Sequence, residues 1–185
     1  MIIFNYDYYF NAWAIVSSPL VLGFDLRNTT MVDLHWDTIT NVAALEVNRD
    51  YAGHSGSLFA ESSLNVTLHA CDWKAGVTCQ WPAWTAWYKP LSGRDERHST
   101  MAILLMNNDD KAVDLSFKFS DVPAALVHSS SSSSSSSSAV GAAAAAGCTV
   151  YDVNAGKSLG KATGDVFTAR AVASHANVFL TLSDC

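Results

Sequence analysis

The rhythm of apolar positions changes near residue 51. Before it, apolar residues come in dense blocks; after it, they come in short runs separated by turn residues. Tyr6 to Val16 predicts a helix, too rich in aromatic and aliphatic residues to be solvated all round. Leu20-Val-Leu-Gly-Phe24 is apolar without alternation, which predicts a strand covered on both faces, as in a parallel α/β sheet, with Pro19 at its entrance. Asn28-Thr-Thr30 reads as a turn, and Met31 to about Leu45 as helix, in one piece or two, with Thr30 as the expected N-cap. Met31, Leu34, Thr38 and Ile39 lie near one face of that helix, and Asp33 and Asp37 near another. Together these segments make a strand–turn–helix half-unit. A parallel strand needs a parallel neighbour, and no second run of that kind follows.

Beyond the Gly53–Gly56 loop the pattern is that of strands. Leu64, Val66, Leu68 and Ala70 alternate with polar residues. Trp84 to Leu91 is a strand candidate, followed by a hairpin connection at Ser92-Gly93-Arg94-Asp95. Met101 to Met106 predicts a strand buried on both sides, turned by Asn107 to Asp110. Val113 to Phe119, Cys148 to Val153, Val166 to Val172 and Asn177 to Leu182 complete the set, a spacing that suits an antiparallel sandwich. Ser129 to Ser138 is a run of ten serines, followed by Ala142 to Ala146. That tract cannot bury enough apolar surface to order itself, and reads as an insertion in a surface loop.

Composition narrows the partners. Apolar residues make up 49% of the 185, enough for a core, and the net charge of −6 carries no basic stripe, which argues against nucleic acid. No apolar run reaches the length of a membrane span, and the N-terminal stretch lacks the basic flank of a signal peptide. Met1 opens into what reads as the middle of an α/β unit, so the chain is expected to begin inside a larger protein. Of the four cysteines, Cys71 and Cys79 bracket a short segment that can close as a local disulfide, although spacing does not settle the pairing. Asn28-Thr-Thr and Asn65-Val-Thr are glycosylation sequons, and with the cysteines they tilt the reading toward the secretory pathway.

Candidate chemistry is sparse. The six histidines show no metal-ligand spacing, so neither a metal nor a cofactor is expected. His175 follows Ser174, but no Gly-x-Ser-x-Gly context surrounds that pair. Asp25 would stand at a strand's carboxyl end, where barrel enzymes place catalytic groups; beside Arg27 it reads more simply as a turn residue. Trp81, Trp84 and Trp87 cluster with Tyr88. In a strand, Trp84 and Tyr88 share one face and Trp87 takes the other. Trp84 and Trp87 are therefore candidate sugar-stacking residues, with core filling as the plainer role.

Several motifs, in order, resemble one family. Phe10-Asn-Ala-Trp-Ala-Ile-Val-Ser-Ser-Pro-Leu-Val-Leu-Gly-Phe-Asp-Leu-Arg-Asn28 resembles the segment around the eighth barrel strand of the α-galactosidases (melibiases) of glycoside hydrolase family 27. Asn41 to Gly53, with Glu46-Val-Asn-Arg-Asp50, resembles the family's "N-x-E-x-x-A-x-N-Q-D-x-x-G" stretch. Trp87-Tyr-Lys-Pro-Leu-Ser-Gly93 resembles "W-x-K-P-L-x-x-G", and Met101-Ala-Ile-Leu-Leu-Met-Asn-Asn108 resembles the "A-V-x-L-x-N" strand. Tyr151-Asp-Val153 and Val172-Ala-Ser-His-Ala-Asn-Val-Phe-Leu-Thr-Leu182 resemble the closing segments.

The resemblance implies an α/β fragment, the last β/α unit of a TIM barrel, in residues 1–52. It is followed by an all-β antiparallel sandwich in residues 53–185, with the serine/alanine insertion at about 128–147. It implies retaining hydrolysis of terminal α-linked galactose, or of α-N-acetylgalactosamine, by a secreted, lysosomal or vacuolar protein; the oligomeric state stays open, a homodimer being one option. Such chemistry uses two carboxyl groups. The family's "K-Y-D" and "R-x-x-x-D" segments, which carry them, do not occur here. No residue of this chain is therefore assigned a catalytic role, and the chain alone is expected to be inactive. The competing expectation is a non-catalytic carbohydrate-binding or structural sandwich module.

Overall fold

A computed structural model describes residues 6–23, 25–69, 77–92, 100–123 and 147–183. Three helices come first: α1 (Tyr6–Ile15), α2 (Thr29–Ile39) and α3 (Val42–Arg49). Ten strands follow: β1 (Ser57–Glu61), β2 (Asn65–His69), β3 (Thr78–Pro82), β4 (Trp84–Pro90), β5 (Met101–Asn107), β6 (Val113–Lys118), β7 (Thr149–Asp152), β8 (Lys157–Lys161), β9 (Val166–Val172) and β10 (Asn177–Ser183). A six-stranded sheet runs β1-β4-β5-β10-β7-β8, and the pairs β2-β3 and β6-β9 form two small sheets. All the strand pairs are antiparallel.

The large sheet is covered on both faces. Met101, Ile103 and Leu105 of β5 join Ala86, Tyr88, Leu180 and Leu182 against Leu115 and Phe117 of β6, with Phe167 and Val172 of β9. The intervening residues Ala102, Leu104 and Met106 face the other way. They pack with Phe179 against Ala14 and Ile15 of α1 and Ala44 and Val47 of α3. Every residue of β5 is buried in consequence, as its unbroken apolar run predicts. Alternation by two puts successive side chains of one strand into two separate cores.

The expected strand at Leu20–Phe24 is not formed. Residues 18–23 have no regular structure, Phe24 lies outside the described residues, and Val21 is 73% exposed. The reason is the one the sequence hinted at: a two-face strand needs parallel neighbours on either side, and no parallel pair exists among the described strands. The helix after it does divide into two, but Asn28, not Thr30, is the N-cap. Its side-chain oxygen accepts a hydrogen bond from Met31 N at 3.2 Å, so the helix opens at Thr29. The hairpin connection at 93–95 and the serine/alanine tract lie outside the described residues.

Helix α1 ends in a Schellman motif, with Ser18 N donating to Trp13 O at 3.0 Å and Ser17 N to Ala14 O at 3.3 Å. Ser17 occupies the left-handed position (φ 57°) that usually falls to glycine, and its buried hydroxyl has no hydrogen-bond partner. Ser17→Gly relieves both costs. We expect it to raise stability by about 1–2 kcal/mol in urea titration; an unchanged or lowered midpoint would refute this account of the helix end.

Candidate functional site

The chemistry-bearing residues picked out from the sequence do not converge. Asp25 accepts from Arg27 Nε at 3.0 Å, Nη2 at 2.9 Å and the backbone N at 3.0 Å, in an exposed turn. The guanidinium, and secondarily the backbone N–H, hold its carboxyl below the usual aspartate range. This is the opposite of what a general acid needs. His175 sits in a left-handed turn (φ 50°) with Nε2 3.2 Å from Asp110 Oδ1, bridging the turns after β5 and β9. Among the described residues no aspartate or glutamate is buried, and no group of three His, Cys, Asp or Glu is placed to hold a metal ion. No helix there is long and apolar enough to cross a membrane.

The tryptophans divide as their strand position predicts. Trp84 packs with Tyr88 on the β6-β9 side, while Trp87 packs on the helix side and donates from Nε1 to Thr85 Oγ1 at 3.1 Å. Both are half-buried, and each contributes to a core; Trp81 on β3 is more exposed. Of the sequon asparagines, Asn28 is exposed and has its side-chain oxygen engaged in capping, which leaves the nitrogen that a glycan would use unencumbered by that bond. Asn65 is exposed at the start of β2, opposite Pro82 of β3. Cys79 and Cys148 are both in disulfide form, whereas Cys71 lies outside the described residues.

Sequence reasoning passed over two polar side chains, one buried and one half-buried. Lys89, the penultimate residue of β4, is wholly buried, and burial pushes its ammonium down to about 8 against the pull of Asp50. Tyr8 donates to Asn108 Oδ1, and its phenol is pushed up to about 12, first by burial and then by Tyr9. The "K-P-L" motif signalled the lysine, but not its surroundings.

The surface that stands out is helical and apolar. Eleven of the seventeen large apolar side chains exposed among the described residues lie between residues 6 and 51. They include Tyr9 and Trp13 on α1, Val21 and Leu22 after it, Leu34 and Trp36 on α2, and Val42 on α3.

No protein-family model matches the chain, and no curated protein matches it. Solved structures do. α-Galactosidase I from Mortierella vinacea superposes with a TM-score of 0.64 at 19% identity, covering 97% of this chain and 35% of that one. A family 27 β-L-arabinopyranosidase from Geobacillus stearothermophilus gives 0.62 at 15%, covering 95% and 29%. The α-galactosidase from Saccharomyces cerevisiae with raffinose gives 0.58 at 14%, covering 95% and 42%. The chain thus spans well under half the length of the structures it matches. Over nearly its whole length it has the fold of the C-terminal portion of the α-galactosidases of glycoside hydrolase family 27.

Proposed function

We propose that this chain is the C-terminal portion of an α-galactosidase-like glycoside hydrolase of the secretory pathway. Residues 1–52 form the end of its (β/α)8 barrel, and residues 53–185 its antiparallel sandwich with the serine/alanine insertion. The full-length protein hydrolyses a terminal α-galactoside with retention, using two carboxyl groups that flank the glycosidic bond. Neither belongs to this chain. The chain's own part is to close the barrel with its apolar helical face and to buttress it with the sandwich.

The observation that supports the reading is the concentration of exposed apolar side chains at residues 6–51, in a chain that covers only 35% of the length of a solved structure with the same fold. Val21 and Leu22 belong to the run that reads as a barrel strand, and barrel strands are sheltered by neighbours on both sides. The likeness of fold extends to an arabinopyranosidase, so the sugar is assigned only as an α-galactoside or a close relative.

The purified chain alone should release no p-nitrophenol from p-nitrophenyl α-galactoside above the buffer rate. Clear turnover would overturn the assignment of both carboxyl groups to other parts of the protein.

A further inference from the structure

Lysine is among the residues least often fully buried unless its ammonium is paired. Lys89 is in register with Ala102 of β5, and has no surface exposed to solvent. Its Nζ donates to the carbonyl oxygen of Val47 and, at 3.3 Å, to that of Asn48. Both carbonyls belong to the last turn of α3, where intrahelical donors have run out and the helix end carries partial negative charge. Three residues further along, the backbone N and hydroxyl of Ser92 donate to Asp50 Oδ2 at 3.0 and 2.8 Å. Asp50 is the C-cap of that same helix. Two residues, Lys89 near the end of β4 and Ser92 just beyond it, therefore hold the C-terminal end of α3.

We propose that Lys89 is a latch that fixes the C-terminal end of α3 onto the outer face of the six-stranded sheet. It acts as a helix cap supplied from another element. Apolar packing of Ala44 and Val47 presses α3 onto the sheet, but such contacts are non-directional. The ammonium supplies direction, because it donates to two successive carbonyls at once. The chain leaves that end for residues 51–56 and β1, so the latch also sets where the sheet's edge strand begins. The inference does not depend on the hydrolase reading, since it concerns contacts within this chain alone.

Acylation of the intact folded chain with acetic anhydride, read lysine by lysine in a mass spectrometer, tests the burial. Lys111, Lys118, Lys157 and Lys161 are exposed and serve as internal references. An amine of lowered basicity reacts faster than an ordinary lysine if reagent can reach it, so slow modification of Lys89 reports protection. We expect it to lag the references by about 100-fold, the scale of a local opening that must precede reaction. In the Lys89→Met chain, amides in the last turn of α3 should exchange with deuterium about tenfold faster, while those of β5 and β10 hold their rates. Labelling of Lys89 at the reference rate would overturn the proposal. So would unchanged exchange of α3 in a folded Lys89→Met chain. The acylation result uses the unmodified sequence, and stands whether or not that variant folds.

Discussion

Asn107→Ala should destabilise the fold by about 3–5 kcal/mol, more than any other single truncation of a polar side chain described here. Asn107 ends β5 and is fully buried. Its Nδ2 donates to the carbonyls of Lys111 at 2.8 Å, Val172 at 3.0 Å and Ala173 at 2.9 Å, and its Oδ1 accepts from Asp109 N at 2.9 Å. One carboxamide thus ties the turn that follows β5 to the end of β9, which lies in the opposing sheet. Alanine removes the donor from all three carbonyls, of which the bond to Val172 is fully buried. Asn107→Asp keeps the shape but turns a second oxygen toward the same carbonyls. It should be at least as damaging at neutral pH, and should recover part of the loss as acid protonates the carboxyl. Because the buried acid titrates above its unfolded value, the stability it retains is greatest below that unfolded value and is lost as pH rises. Chemical denaturation of both variants at neutral and acidic pH checks this. A loss below about 1 kcal/mol for Asn107→Ala would show that the two sheets are held by apolar packing alone.

Gly56→Ala should cost about 2–4 kcal/mol. Gly56 N donates to Ile15 O at 3.0 Å, which docks the segment entering β1 onto the last turn of α1. A Cβ at Gly56 would overlap the Ile15 carbonyl oxygen, lie 2.8 Å from its carbonyl carbon and 3.1 Å from Ile15 Cγ1. Backbone cannot swing aside as a flexible side chain does, so either the helix end or the strand entrance must move. Gly164→Ala is the control, since nothing lies within 4 Å of a Cβ there. Equal midpoints for the two variants in urea would mean that the α1 to β1 contact contributes nothing.

These two positions differ in how readable they were. Asn107 belongs to a strand motif that the sequence displayed, but it reads there as the first residue of a polar turn. Its three acceptors come from residues 4, 65 and 66 positions away, and pattern along the chain carries no information about such partners. Gly56 reads as one of several loop glycines. Only the approach of Ile15, 41 positions earlier, makes the absence of a Cβ matter. Strands β1, β3 and β8 were missed for a related reason. β8, Lys157-Ser-Leu-Gly-Lys161, is exposed at every position and has no apolar face to announce it; it is a strand because β7 lies beside it. β1 is a short edge strand without clean alternation, held by β4.

The sequence by itself determined the helices, the antiparallel sandwich, the doubly buried character of β5 and the opposite facing of Trp84 and Trp87. All of these follow from local periodicity, which sets the side of an element on which each side chain emerges. It also carried, as ordered motifs, the resemblance that the fold comparison upholds. The tertiary structure alone decided which elements cover β5, that residues 20–23 stay outside any sheet, and that Lys89 and Asn107 join segments distant in sequence. Burial on a given face is a property of a single strand. Pairing, capping across elements and the shelter of an apolar run each require a second element, and that second element is chosen by the fold as a whole.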